Sequence, residues 1–180
     1  MRKARGRTQV RRLVQKGRLM TDSSELKREL WLRLKSQTAG MMGLAGGSMH
    51  MRPMTPLLEK DSESVWFLTA PDNKLAQEGA KVHFTVQSPD ERFYACVSGH
   101  LAVSDDEKRL EQLWNVYASA FFEDGPQASE AVALELKPEE AEIWTIEANA
   151  TQFAAEIASR SAFGGKDRPD LGTHDVVSLP

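Results

Sequence analysis

The sequence predicts a mainly β protein with flanking helices, in which six or seven strands form a small antiparallel barrel. Short apolar segments alternate with polar residues in steps of two, as at Val82, Phe84 and Val86. Turn residues such as Gly46-Gly47 separate these segments, and only two or three helix patterns interrupt them. Because most strands follow one another without a helical crossover, the pattern is not that of a parallel βαβ array.

The predicted elements follow in order along the chain. Strands are expected over residues 38–44, 51–58, 63–69, 82–86, 93–103, 131–136 and 141–148. Helices are expected over residues 23–35, 73–78, 105–121 and 151–159.

Local signals justify the ends of these elements. Asp22 with Glu25 resembles a capping box at the start of the first helix, and Gly79 is expected to end the second. Residues 45–48, Ala-Gly-Gly-Ser, predict a hairpin turn, because neither a Gly-x-Gly-x-x-Gly pattern nor a following helix supports a phosphate-binding loop. The last two strands are expected to form a hairpin around residues 137–140, Lys-Pro-Glu-Glu.

Composition limits the classes of function. The 180 residues are 41% hydrophobic and 27% charged, as expected for one globular domain. No apolar run approaches the roughly 20 residues that a membrane helix requires. The single cysteine, Cys96, excludes an intramolecular disulfide and a cysteine-built zinc site, and the four histidines lack metal-ligand spacing. We therefore expect no membrane span, no metal site and a cytoplasmic location.

Charge is distributed unequally along the chain. Residues 1–20 contain eight Lys or Arg and no Asp or Glu, which leaves 15 of the 23 basic residues and all 26 acidic residues for the rest. The acidic remainder argues against a nucleic-acid surface outside the basic arm. The arm itself fits a tail for nucleic acid or anionic lipid, an organelle-targeting segment, or a mis-assigned translation start. Because Met20-Thr21-Asp22 leads directly into the first helix, we favour a mis-assigned start or a disordered extension.

These patterns divide the chain into three expected parts. Residues 1–20 form the extension, residues 21–150 form the barrel domain, and residues 151–180 form a C-terminal helix and tail that pack on the barrel or extend it.

The chemistry of one region predicts a binding site. Arg52 lies on a segment that Pro53 keeps extended, the apolar strand over residues 65–69 follows, and Lys74 comes in the next turn. A guanidinium and an ammonium beside an apolar strand suit a ligand with a flat apolar body and an anionic tail, such as a nucleotide-like cofactor. Alternatively, Arg52 is a solvated strand residue that forms only a surface ion pair.

An ordered set of motifs makes the chain resemble a known family. The motifs are Arg52-Pro53-Met54, Trp66-Phe67-Leu68-Thr69, Asn73-Lys74, Val97-Ser98-Gly99-His100, Leu113-Trp114 and Pro138-x-x-Ala141-Glu142-x-Trp144. Over residues 23–147 the sequence is similar to the general stress protein 26 branch of the pyridoxamine 5'-phosphate oxidase-like family. The resemblance implies an FMN-binding split β-barrel of antiparallel Greek-key type, and a homodimer with the flavin at the subunit interface.

The resemblance also implies roles for individual residues. Arg52 and Lys74 would hold the phosphate of FMN, with FAD as the alternative flavin, and Asn73 would assist. The other implied cofactor contacts are Pro53, Met54, Phe67, Leu68, Thr69, Gln87, Trp114 and Trp144, the two tryptophans covering the ring, if need be from the partner subunit. Judged by local pattern alone, Gln87 equally fits a water-facing position beyond its strand, and Trp114 fits a helix-to-core contact.

The activity that the resemblance implies is that of a flavin-dependent oxidoreductase. The flavin would perform the transfer, so no side chain is assigned as catalytic. Oxidation of pyridoxamine phosphate itself is not expected, because no Arg follows Trp144 until Arg160. Two alternatives remain open: a non-catalytic module that binds or senses flavin, and a split-barrel protein that binds haem or a deazaflavin.

Overall fold

This computed structural model describes residues 23–47, 49–60, 62–122, 125–126, 131–146, 150–163 and 173–179. The basic arm, Asp22 and most of the polar segment before β7 lie outside the described residues. The helices cover residues 23–36 (α1), Glu107–Leu113 (α2), Val116–Phe121 (α3) and Ala150–Phe163 (α4). The strands are Gly40–Leu44 (β1), Arg52–Met54 (β2), Val65–Thr69 (β3), Lys81–Gln87 (β4), Phe93–Ser104 (β5), Val132–Thr145 (β6) and His174–Ser178 (β7).

The predicted fold class is confirmed, because the described residues form one antiparallel sheet of seven strands with flanking helices. The strand order is β2-β1-β4-β5-β6-β3, and β7 pairs with β6 beyond the end of β3. An isolated antiparallel bridge joins Leu57, just after β2, to Trp66 of β3. The two ends of the strand order therefore meet at this isolated bridge, so that the sheet curves into an incompletely closed barrel.

The core lies inside this curved sheet and is capped by α1. Leu30 and Leu34 of α1 are buried against it and form an apolar stripe along this helix. At the centre, the rings of Phe67 and Phe84 meet edge to face at 5.0 Å between centroids. Period-two burial along β4 and β5 places the alternate side chains on the outer face of the sheet.

The hairpin predicted around residues 137–140 is wrong, because β6 runs through this segment as one strand of 14 residues. The register between β5 and β6 shifts at this point: Ser98 lies opposite Glu140 and Gly99 opposite Pro138, so that Glu139 has no partner in β5. This β-bulge accommodates the proline, which cannot donate a ladder hydrogen bond. A side chain at Gly99 would collide with the carbonyl oxygen of Lys137, so the strands approach too closely there for any other residue.

Two predicted helices also differ from the structure. Residues 73–78 form consecutive turns, not a helix, and Gly79 has a φ of 71°. The helix expected over residues 105–121 is two short helices, α2 and α3, because Trp114 is extended and Asn115 begins a new helix. The predicted start of α2 is confirmed, since Asp106 caps it by accepting the backbone N–H of Lys108 at 3.0 Å.

The C-terminal part of the chain leaves the sheet and returns to it. Along α4 the described side chains are exposed, including Phe153 and Ile157. The chain then forms β7 beside β6, where Val177 and Leu179 are buried in the core. None of the helices in the described part of the chain is long and apolar enough to span a membrane.

Candidate functional site

A cavity of about 410 Å³ lies between β2, the end of β3 and the α3 helix. Six of the residues predicted to bind a cofactor line it: Arg52, Pro53, Met54, Leu68, Thr69 and Asn73. The structure thus brings together residues from β2, from β3 and from the turn that follows β3. Such a volume is typical of pockets for small organic ligands.

Arg52 gives this cavity its charge. It is exposed on β2 opposite Met42, and it is the one charged residue among the described residues that line the cavity. In the part of the chain that the structure describes, no carboxylate pairs with its guanidinium. Met54, two residues further along β2, is buried on the same wall. The site therefore presents an unneutralised guanidinium beside an apolar surface.

The turn after β3 is held by the side chain of Asn73. Its Nδ2 donates to Thr69 Oγ1 at 2.6 Å, and its Oδ1 accepts the backbone N–H of Leu75 at 3.1 Å. The Asn73 carbonyl also accepts the N–H of Ala76 at 2.8 Å. Asn73 fixes the turn to the end of β3, which explains why an asparagine stands at this position.

The opposite wall comes from α3, which the sequence did not predict to take part. Asn115, Ala118, Phe121 and Phe122 line the cavity. Asn115 caps the helix by accepting the Ala118 N–H at 3.0 Å on its Oδ1. The sequence signal for a new helix start was Asn115, which stands three residues before Ala118 and is followed by Phe121 and Phe122. This signal was missed because one continuous helix was predicted here, and a continuous helix has no N-cap at residue 115.

Two predicted site residues line a different cavity. Gln87 and Trp144 face a volume of about 690 Å³ on the outer side of the sheet, together with Tyr94 and Cys96. Trp144 stacks on His174 of β7, with 5.1 Å between ring centroids and 4° between ring planes. Ala39 lines both cavities. Gln87 and Trp144, which was predicted to cover the ring, thus lie in a cavity adjoining the one that contains Arg52.

Three further predicted residues lie elsewhere. The Phe67 side chain is fully buried in the core, so that only its backbone is available to the site. Lys74 is exposed in the turn next to Asn73 and does not line either cavity. Trp114 lines neither cavity. It packs against Phe122 in a second apolar cluster, and its Nε1 donates to Ser119 Oγ at 2.9 Å.

Electrostatic effects in the outer cavity concern Cys96. Burial raises the pKa of the Cys96 thiol, and the nearby Glu142 carboxylate raises it further. Glu142 is itself bonded to His174 Nε2 at 2.8 Å. Within the described ranges, no group of three or more His, Cys, Asp or Glu side chains is arranged to hold a metal ion.

Comparisons with known proteins agree with this architecture. The family model of pyridoxamine 5'-phosphate oxidase-like proteins matches residues 25–170. A general stress protein 26 structure from Jannaschia sp. CCS1 is 30% identical with a TM-score of 0.67, over 86% of this chain and 99% of that one. The general stress FMN/FAD binding protein of Xanthomonas citri is 34% identical with a TM-score of 0.63, over 70% of this chain and 92% of that one.

A general stress family protein from Xanthomonas campestris pv. campestris is 33% identical with a TM-score of 0.63, over 70% of this chain and 90% of that one. No curated protein matches the chain. The family match covers most of the sequence and includes both cavities. The chain therefore belongs to the pyridoxamine 5'-phosphate oxidase-like family, within which general stress proteins are the members it resembles at 30–34% identity.

Proposed function

We propose that the protein binds FMN, with the flavin phosphate on Arg52 and the flavin body in the 410 Å³ cavity. One observation carries the proposal: a single guanidinium without a carboxylate partner in the described chain lines a cavity whose other described walls are uncharged. Such a wall fits one anionic group attached to a large apolar body. Arg offers a bidentate fork to a phosphate, and Lys74 adds a mobile charge from the adjacent turn.

Uncharged groups would complete the contacts along the flavin. Met54 and Leu68 offer apolar surface, and the Thr69–Asn73 turn offers backbone and hydroxyl groups. FAD also carries a phosphate and a flavin ring, so the same contacts are available to either flavin. The name of the Xanthomonas citri relative, which mentions both FMN and FAD, is consistent with this proposal.

The second part of the proposal is a homodimer. Gln87 and Trp144 lie on the outer face of the sheet, away from Arg52, and apolar side chains such as Met41 and Val176 are exposed on that face. A second copy packed against this face would cover these apolar groups. The second copy would also place its own Gln87 and Trp144 near the cavity of the first copy. This arrangement accounts for the separation of Gln87 and Trp144 from Arg52 within one copy.

The third part concerns the reaction. Bound FMN supplies hydride or electron transfer, while the chain binds it, orients it and limits the access of water. We assign no side chain as a general acid or base. The activity proposed is therefore that of a cytoplasmic flavin-dependent oxidoreductase, and the competing possibility is a module that holds flavin without turning over a substrate.

An absorption spectrum tests the binding proposal directly. The purified protein, or the protein incubated with FMN and desalted, should retain the visible flavin bands. The double variant Arg52→Ala/Lys74→Ala should lose them, whereas Arg92→Ala/Lys108→Ala, which removes the same charge from exposed positions outside both cavities, should retain them. A wild-type protein that stays colourless contradicts the proposal.

Reduction of the bound flavin separates the enzyme from the binding module. If NADH or NADPH bleaches the flavin bands and oxygen or an added acceptor restores them over many cycles, the oxidoreductase is supported. If the flavin remains oxidised with either donor, the binding module is favoured.

A further inference from the structure

The Arg109 side chain of α2 makes two close contacts with other elements. Its guanidinium carbon lies 3.8 Å from the centroid of the Trp66 ring. Its two terminal nitrogens bond the Glu59 carboxylate, with Nη1 to Oε1 at 2.5 Å and Nη2 to Oε2 at 2.9 Å. Arg109, Glu59 and Trp66 are called the Arg109 cluster below. The planar guanidinium of arginine can stack on a ring and bond both oxygens of a carboxylate at the same time, which the ammonium of lysine cannot do.

Each member of the Arg109 cluster belongs to a segment that continues into a different wall of the cavity. Glu59 lies two residues after Leu57, and Trp66 lies two residues before Leu68 on β3. Arg109 lies on α2, which leads through Trp114 into the α3 wall. One guanidinium thus joins the β2-side wall, the β3 wall and the helical wall.

Two of the three members of the Arg109 cluster are largely enclosed. The Arg109 side chain is 21% exposed and the Trp66 residue is 6% exposed, whereas the Glu59 side chain is 38% exposed. The Trp66 ring N–H is buried without a hydrogen-bond partner in the described residues. The position of the Trp66 ring therefore depends on packing and on the guanidinium above it, not on a hydrogen bond of its own.

Arg109 does not line the cavity, so its influence on a ligand is indirect. We infer that Arg109 is a positioning residue for the flavin site, which sets the distance between the α3 wall and the walls from β2 and β3. This inference rests on the function proposed above. Removing the Arg109 guanidinium loosens the packing of α3 while the barrel remains folded, because the main core does not include the members of the Arg109 cluster.

The test compares Arg109→Lys and Arg109→Met with a matched control, Arg33→Lys. Arg33 also pairs with a carboxylate, Glu29 at 2.7 Å, and lies 5.9 Å from the centroid of the Phe93 ring, but it contacts neither cavity. Binding of FMN is followed by flavin fluorescence and by the visible circular dichroism of the bound ring. Hydrogen exchange is measured on flavin-free protein in peptides that cover residues 114–122 and residues 93–104.

We expect both Arg109 variants to weaken FMN binding by about tenfold or more and to change the visible dichroism. Exchange should become faster in residues 114–122 and stay unchanged in residues 93–104 of β5, and Arg33→Lys should do neither. The inference is overturned if residues 114–122 of either Arg109 variant exchange at the wild-type rate. It is also overturned if exchange becomes faster to the same extent in both peptides. If wild-type protein fails to bind FMN, the proposed function fails, and the exchange result still decides whether Arg109 positions α3.

Discussion

The side-chain amide of Asn73 donates to the hydroxyl of Thr69 across 2.6 Å. This contact ties the turn after β3 to the last residue of the strand, at the edge of the cavity that contains Arg52. Since Asn73 Oδ1 simultaneously accepts the Leu75 N–H, one side chain determines the path of the turn on both sides. The shape of this part of the cavity thus depends on Asn73, whose side-chain amide is hydrogen-bonded within the protein.

Replacing Asn73 should loosen this turn and weaken flavin binding. Asn73→Ala removes both hydrogen bonds, and with a net value of about 0.5–1.5 kcal/mol for each bond we expect a loss of about 1–3 kcal/mol in stability. Thermal or urea unfolding measures the loss, and an FMN titration measures the weaker binding. The control is Gln77→Ala, which removes an exposed hydrogen bond to Lys74 O from the same turn. Equal effects of the two substitutions would contradict the role assigned to Asn73.

Replacing Gly99 at the β-bulge should destabilise the protein. An alanine Cβ there would meet the Lys137 carbonyl, and overpacking of this kind costs about 1–3 kcal/mol. Urea unfolding of Gly99→Ala should therefore show a lower midpoint with an unchanged slope. Ser98→Ala, one residue away, should change stability by less than about 0.5 kcal/mol. A Gly99→Ala protein as stable as wild type would show that the strands separate at the bulge without cost.

Phe121 should matter for the ligand and not for the fold. The residue is 80% exposed yet lines the cavity, so Phe121→Ser should leave the unfolding free energy within about 0.5 kcal/mol of wild type. The same substitution should weaken FMN binding, because it removes apolar surface from the wall that faces the ligand. Phe153→Ser on α4, which is 45% exposed and contacts neither cavity, is the control. An unchanged flavin affinity of Phe121→Ser would contradict the assignment of α3 as a wall of the flavin site.

Cys96 should react slowly with alkylating agents. Its pKa is raised, first by burial and second by Glu142, so that less thiolate is present at a given pH than for a free cysteine. The pH profile of iodoacetamide labelling should be displaced upward, and Glu142→Gln should displace it part of the way back. Because Cys96 lines the outer cavity, labelling should also slow further as the protein concentration rises and a second copy covers this face. Labelling that does not depend on concentration would argue against the proposed interface.

Local chemistry predicted most of the strands. Alternation at Val82, Phe84 and Val86 reflects a half-buried strand, and β4 is found there with this burial pattern. The prediction failed at Pro138 because proline is a general turn signal, and only the pairing with Gly99 on a distant strand shows that it belongs to a bulge. The break between α2 and α3 was missed for a related reason, since Trp114 and Phe121 continue an apolar helix pattern across the cap at Asn115.

The site was predictable where its residues are close in sequence. Arg52, Met54, Thr69 and Asn73 belong to three short motifs, and the structure places all four on one cavity. The α3 wall and the role of Arg109 depend on contacts between segments about 50 residues apart, such as Arg109 with Glu59, which no local pattern encodes. The separation of Trp144 from Arg52 likewise follows from the three-dimensional arrangement of the sheet and not from local spacing.

The most direct measurement of the central claim is a comparison of FMN with riboflavin, which differ only by the phosphate. Isothermal titration of wild type and Arg52→Ala with both ligands gives four affinities. If Arg52 holds the phosphate, wild type should bind FMN at least about tenfold more tightly than riboflavin, because a charged hydrogen-bonded pair contributes about 1.5–3 kcal/mol. Arg52→Ala should lose most of this preference and retain its affinity for riboflavin. Equal binding of FMN and riboflavin by wild type, or an undiminished preference in Arg52→Ala, would contradict the assignment of Arg52 to the phosphate.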